Sequence, residues 1–169
     1  MSLTNTLKQQ VTEIEFRQDM SAEEKISRIT HITCTTCSLL ATQPLPFADI
    51  FILTPIQAYM GTRIAAIRGV PVKESEVTDL IKEIAGVVGM GVIAQQTAIG
   101  LFKTILPWLG GLMTVPLVYG LSFAIMRVID VWYEAKSRGA TLTAEDIKKI
   151  WKTARAEGKT RGQQSQNGR

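Results

Sequence analysis

The chain has 169 residues, of which 46% are hydrophobic and 20% are charged, and its formal net charge is +4. This length suits one domain with a substantial core. The positive charge is concentrated in residues 127–169, which hold 10 basic and 5 acidic side chains. Because aromatic side chains are not interleaved with these basic residues, we predict no nucleic-acid partner and expect an anionic phosphate surface, either a lipid headgroup or a partner.

Two amphipathic helices are predicted at the N-terminal end. The first, assigned to residues 1–20, has an apolar stripe at helical spacing, formed by Leu3, Leu7, Val11 and Ile14. Ser21 and Glu24 have the spacing of a capping box and mark the start of the second helix, which should end before Pro44. Because the first 30 residues lack the apolar segment of a signal peptide, we expect a cytoplasmic chain with reduced thiols.

The second helix carries the one histidine and both cysteines of the chain, namely His31, Cys34 and Cys37. Structural zinc usually takes four converging ligands, and the sequence offers no second pair of cysteines or histidines. Residues spaced by three also drift around a helix, so these three do not aim at one ion. We therefore predict buried, inert cysteines and no metal site.

A third helix is predicted over residues 46–66, after an extended break that Pro44 and Pro46 impose. Asp49 lies in its first turn, where a carboxylate interacts favourably with the positive end of the helix. A buried acid with a perturbed pKa is the alternative interpretation of this residue. In that case three polar residues of one predicted face can form a buried polar track: Asp49, Gln57 and Arg63.

The most informative feature is a long stretch almost without charge. Between Glu83 and Arg127 the one charged residue is Lys103, which separates apolar runs of 19 and 23 residues. A bilayer core of roughly 30 Å needs about 20 apolar residues per helix. The stretch therefore predicts a Gly-rich hydrophobic helical hairpin over residues 84–126, inserted in a membrane between amphipathic flanking helices.

Other residues of the same stretch favour a hairpin that is broken, re-entrant or covered by protein. Gln95 and Gln96 would need hydrogen-bond partners in lipid and fit a soluble adaptor or oligomerisation domain better, or a pore that also uses Asp49. Lys103, Pro107 and the pair Gly110-Gly111 predict a turn over residues 103–111. The second long helix is then expected over residues 112–132.

The C-terminal end predicts one more helix and a tail. Gly139 fits a helix C-cap, and Thr143 with Asp146 opens an amphipathic helix. Its polar face supplies candidate contacts to headgroups or to a partner: Lys148, Lys149, Lys152 and Arg155. Residues 158–169 are polar and Gly-rich and are expected to be disordered, which leaves residues 21–157 as one helical domain.

No signature of catalysis or nucleotide binding is present in the sequence. The chain has no G-x-x-x-x-G-K-[ST] motif, and the glycines of residues 86–91 do not follow a predicted strand. A single histidine gives little support to a Ser-His-Asp arrangement. We therefore predict an all-α protein of about six helices that is not an enzyme and binds no cofactor.

Residues 44–50, P-L-P-F-A-D-I, followed by L-T-x-x-Q-x-x-M in residues 53–60, resemble the family catalogued as domain of unknown function 697. The Gly-rich segment and the long apolar helix match it in character, and the resemblance covers about residues 22–157. Members of that family commonly occur fused to, or encoded beside, Ras-like GTPase domains.

The resemblance implies a membrane-associated helical companion of a small GTPase. Because the chain carries no G domain, the GTPase would be a separate polypeptide. Some members are described as inner-membrane proteins, so we expect the cytoplasmic side of the inner membrane, with the cytoplasm as the alternative. Membrane lipid is the first expected partner, and a homo-oligomer is the other possibility left open.

Overall fold

The computed structural model describes residues 3–42, 48–89 and 107–167, and within these segments the chain forms α-helices and short connections, with no strand. The predicted all-α fold with about six helices is confirmed for this part of the chain. The helices are α1 (Leu3–Phe16), α2 (Ala22–Leu40), α3 (Ala48–Ile67), α4 (Glu74–Val88), α5 (Pro107–Ser137) and α6 (Ala144–Asn167).

The helices alternate in direction. His31 of α2 contacts Tyr119 of α5 and, further along α2, Ser38 contacts the earlier residue Val115, so these two helices are antiparallel. Arg63 of α3 pairs with Glu15 near the end of α1, which places the ends of these two helices together. Because α3 and α4 are joined by only six residues, 68–73, they are antiparallel neighbours.

Helix α5 is the central element and packs against α2, α3, α4 and α6. Met126, Val128 and Ile129 are all fully buried, and this helix supplies more of the core than any other described helix. Tyr133 is only 2% exposed and belongs to the same core. Helix α1 also joins this core through Val11, which is completely buried.

The predicted bounds of α5 are wrong at both ends. The helix begins at Pro107 and not at residue 112, so the residues 107–111 expected in the turn are helical. Proline suits the first position of a helix, because the N–H that it lacks would have no intrahelical partner there. The two glycines that follow cost about 1 kcal/mol each, which does not prevent the helix from forming. At its other end α5 continues to Ser137.

The disorder expected over residues 158–169 is also wrong for the described part of that segment, because α6 continues to Asn167. Two glycines of the expected tail lie against α5 and are buried. A Cβ on Gly158 would be 2.6 Å from the Cβ of Phe123, and one on Gly162 would be 3.0 Å from the Cα of Pro116. The glycines thus allow close approach of two helices, an effect that the polar composition of the segment conceals.

Three connections meet at one end of the bundle, which we call the closed end: residues 17–21, 68–73 and 138–143. The predicted capping box of Ser21 and Glu24 is confirmed there by reciprocal hydrogen bonds of 3.2 and 2.9 Å. Gly139 has φ +73° and ends α5, and Asp146 with Thr143 caps α6, as predicted. Hydrogen bonds within the chain therefore fix the three turns at this end.

The opposite end, which we call the apolar end, contains the C-terminal ends of α2, α4 and α6 and the N-terminal ends of α1, α3 and α5. Helix α4 ends at Val88, followed by Gly89 with φ +81°. Helix α4 therefore contains only the first five residues of the first apolar run, 84–88. The rest of that run and the predicted tip of the hairpin lie outside the described residues.

Candidate functional site

A buried group of ions lies near the closed end. The side chain of Asp130 is 3% exposed and accepts hydrogen bonds from Arg127 at 2.5 Å and from Arg68 at 2.8 Å. Arg68 also reaches Glu23 at 3.1 Å. Arg127 precedes Asp130 by three residues on α5, whereas Arg68 lies 62 residues away in the sequence and could not be expected from local spacing.

This arrangement holds helices together and offers no reactive group. Burial opposes the charge of Arg68, but the hydrogen bond and attraction of Asp130, with the bond to Glu23, outweigh it and raise the pKa of Arg68. Arg68 thus stays charged and clamps α3 to α2 and α5. Asp130 lies on an apolar helix and is buried, and a half-exposed Arg127 alone does not compensate for the burial of its charge. The position of Asp130 in the sequence could therefore have indicated a second basic partner.

Beside these ions is a cleft of about 250 Å³. It is lined by three arginines and three carboxylates: Arg68, Arg127, Arg161, Glu23, Asp130 and Glu157. Arg161 pairs with Glu157 at 2.7 Å and lies over the ring of Phe123. Because the six formal charges cancel, the cleft has no net attraction for an anion.

The predicted buried polar track is wrong in its described part. Gln57 is buried and donates to the hydroxyl of Ser122 on α5 at 3.1 Å. Arg63 instead faces α1, where it pairs with Glu15 at 3.2 Å. The two residues therefore serve different helix contacts. The track failed because six residues of separation turn a helix by about 240°, so the two side chains leave α3 in different directions.

Most of the other predicted motif residues lie outside the described part of the chain. This holds for Pro44, Pro46, Gln95 and Gln96. Asp49 is in the first turn of α3, as expected from the helix start, but its side chain is also outside the description. The interpretations of these five residues stay predictions.

The histidine and the two cysteines of α2 do not converge. Cys34 and Cys37 are buried and form no disulfide, whereas His31 is exposed and shares a hydrogen bond of 2.8 Å with the hydroxyl of Tyr119. Burial raises the pKa of the Cys34 thiol well above its usual range, so this thiol stays protonated. Within the described residues no three potential metal ligands come together.

The four predicted basic contacts of α6 are all exposed but fall on two flanks of the helix. At 100° per residue one flank carries four cations, which we call the basic stripe: Lys148, Lys152, Arg155 and Lys159. Lys149 lies on the other flank, where it lines a groove with Arg127 and Val131 of α5. Lys159 was missed because the segment after residue 157 was expected to be disordered.

One described segment, Val115–Ser137 of α5, has the length and apolar composition of a membrane span. The apolar part of this segment is 67% buried within the bundle, and the core helix of a soluble protein has the same properties. The chain matches no protein-family model, no curated protein sequence and no solved structure.

Proposed function

We propose that the protein is a non-enzymatic, membrane-associated helical module that touches the bilayer with its apolar end. One observation carries this proposal. The alternating helices bring the end of α4 and the start of α5 to the same end of the bundle, so the apolar connection between them leaves from and returns to one side.

The length of this connection favours contact with one leaflet over a crossing. Residues 90–106 number 17, and Lys103 is their one charge. A segment that crosses the bilayer and returns to the same side needs about 40 apolar residues, twice the length of one span. The predicted pair of spans over residues 84–126 would also require Ile84 and Met126, now buried at 1% and 0% exposure, to leave the core.

The exposed apolar side chains give a second argument. Among the described residues two large hydrophobic side chains are exposed, Leu39 at 47% and Phe16 at 66%. Leu39 lies at the apolar end, next to the connection that follows α2, and Phe16 lies at the closed end. The pair therefore offers a matched test, because the same substitution can be made at either end.

Vesicle flotation of the full chain tests the proposal. We expect the protein to float with neutral phosphatidylcholine vesicles, Leu39→Asp to weaken this binding several-fold, and Phe16→Asp to leave it unchanged. A monodisperse protein that stays at the bottom of the gradient without detergent would contradict the proposal. An equal loss in both variants would place the contact elsewhere on the bundle.

A soluble helical adaptor or oligomerisation domain is the second candidate, and the burial of α5 favours it. In that case the charge-poor residues 84–126 form the hydrophobic core of a soluble protein and do not insert into a membrane. The pore hypothesis rests on Gln95 and on Asp49, whose side chains lie outside the described part, so liposome conductance is its test.

A separate Ras-like GTPase is the proposed protein partner, and membership in the family catalogued as domain of unknown function 697 is proposed with it. Both rest on the sequence resemblance of residues 44–60. The location that we propose is the cytoplasmic side of the inner membrane. Pull-down with candidate GTPases loaded with GTP or with GDP tests this partner. Equal recovery in the two nucleotide states would show that binding does not depend on the nucleotide.

A further inference from the structure

The basic stripe of α6 combines regular spacing, exposure and a fixed place relative to the apolar end. Its four cations follow one another at intervals of four, three and four residues, so they form one row along the helix. Glu145, at the closed end, pairs with Lys148 at 3.3 Å. Beyond that pair the row contains no acidic side chain.

The two other lysines of the stripe are available for a partner. Lys152 and Lys159 are exposed, and neither forms an ion pair within the described part of the chain. Residues 151–162 of α6 hold four cations and one carboxylate, Glu157. Glu157 is paired with Arg161 on the opposite flank. A row of this kind matches a surface with many negative charges better than a single anion.

Packing of α6 on α5 fixes which lysine lies closest to the apolar end. Gly158 sits against Gly120 and Phe123 at the middle of α5, and Gly162 sits against Pro116 and Tyr119, closer to the start of that helix. Lys159 is therefore nearer to the apolar end than the other three cations of the basic stripe. Lys148 is 11 residues earlier, which is roughly 16 Å along the helix axis. This separation exceeds the Debye length of about 8 Å at physiological ionic strength.

We infer that the Lys159 end of the basic stripe binds the headgroups of anionic phospholipids while the apolar end contacts the bilayer. The inference rests on the proposed membrane contact and adds its lipid class and its orientation. Lys159 contributes most, Lys152 less and Lys148 least, since the attraction of a cation to an anionic surface fades within a Debye length.

A series of charge reversals tests the inference on the full chain. Binding of Lys159→Glu, Lys152→Glu and Lys148→Glu is measured by flotation with vesicles rich in phosphatidylserine and with pure phosphatidylcholine vesicles. We expect Lys159→Glu to weaken binding to the anionic vesicles several-fold, because the reversal changes two charges, each worth about fivefold at the surface itself, and screening over the distance to the bilayer reduces this effect. Lys148→Glu is the matched control and should change it less than about twofold.

The neutral vesicles separate this inference from the proposed function. If the wild-type chain binds both vesicles equally, or if all three reversals have the same effect, the inference is overturned and the membrane contact stands. If the chain binds neither vesicle, both proposals fail. If Lys159→Glu leaves binding to the anionic vesicles unchanged, the lipid inference is again overturned. An acidic protein is then the remaining candidate partner of the basic stripe.

Discussion

The closed end and the apolar end of the bundle are built in different ways. At the closed end each turn is short and contains residues that cap the adjoining helices. These are the capping box at Ser21, glycines of positive φ at positions 69 and 139, and the pair of Thr143 and Asp146 at the start of α6. At the apolar end the chain keeps its charge-poor sequence and exposes Leu39. The comparison shows that local signals close one end of the fold, whereas the other end is the one that we propose contacts the membrane.

The buried ions near the closed end provide the largest expected effect. Asp130→Asn removes the charge that balances Arg68, whose side chain is only 12% exposed. Breaking a buried ion pair on one side typically costs about 3–5 kcal/mol, and we expect about 3 kcal/mol because Arg68 keeps Glu23. Urea unfolding measures this loss.

Asp79→Asn is the control for that variant, because the pair of Asp79 with Lys82 is about 70% exposed on both sides and should contribute less than about 1 kcal/mol. The double variant Asp130→Asn with Arg68→Met should recover part of the stability, since it removes the unpaired charge. Additive losses in the double variant would show that the two residues are not coupled.

The close contact of α6 with α5 gives the next largest effect. Gly158→Val places a side chain where a Cβ already comes within 2.6 Å of Phe123, and overpacking of this kind costs about 1–3 kcal/mol. Gly86→Val is the matched control, since a Cβ at Gly86 meets nothing within 4 Å. Equal stabilities of the two variants in thermal unfolding would mean that the segment after residue 157 does not pack on α5.

Loss of a cap at the closed end should have a smaller effect. Ser21→Ala removes the hydroxyl that accepts from the backbone N–H of Glu24 at 3.2 Å, and such substitutions cost about 1 kcal/mol. Ser75→Ala, in the exposed first turn of α4, serves as the control and should change stability by less than about 0.5 kcal/mol. Vesicle binding should be unaffected in both variants, because neither touches the apolar end.

The smallest expected effect is a dependence of folding stability on pH. The backbone N–H of Ser21, followed by its hydroxyl, lowers the pKa of Glu24 in the folded chain. A carboxyl with a lowered folded pKa stabilises the protein above its ordinary pKa, and this contribution is lost as the pH falls through the folded pKa. The wild-type chain should therefore lose more stability than Glu24→Gln between neutral pH and about pH 3. Parallel titration curves would contradict this.

What the sequence predicts and what it misses follow the same division between local and distant signals. Helix caps depend on residues within one helical turn of each other, so the roles of Ser21, Gly139 and Thr143 were predicted correctly. The same holds for the apolar stripe of α1. Arg68 and Gly158 act on residues of other helices, at Asp130 and Phe123. No pattern of neighbouring residues predicts those contacts. The polar, Gly-rich composition after residue 157 predicted disorder, although Gly158 is packed against α5.

The native tryptophans allow a direct test of which end touches lipid. Trp108 lies in the first turn of α5 at the apolar end, whereas Trp132 and Trp151 lie toward the closed end. Single-tryptophan variants made with phenylalanine report each position separately. With vesicles of brominated phosphatidylcholine, we predict quenching of Trp108 and none of Trp132 or Trp151. Equal quenching of all three, or quenching of Trp132 alone, would contradict the account that the apolar end contacts the membrane.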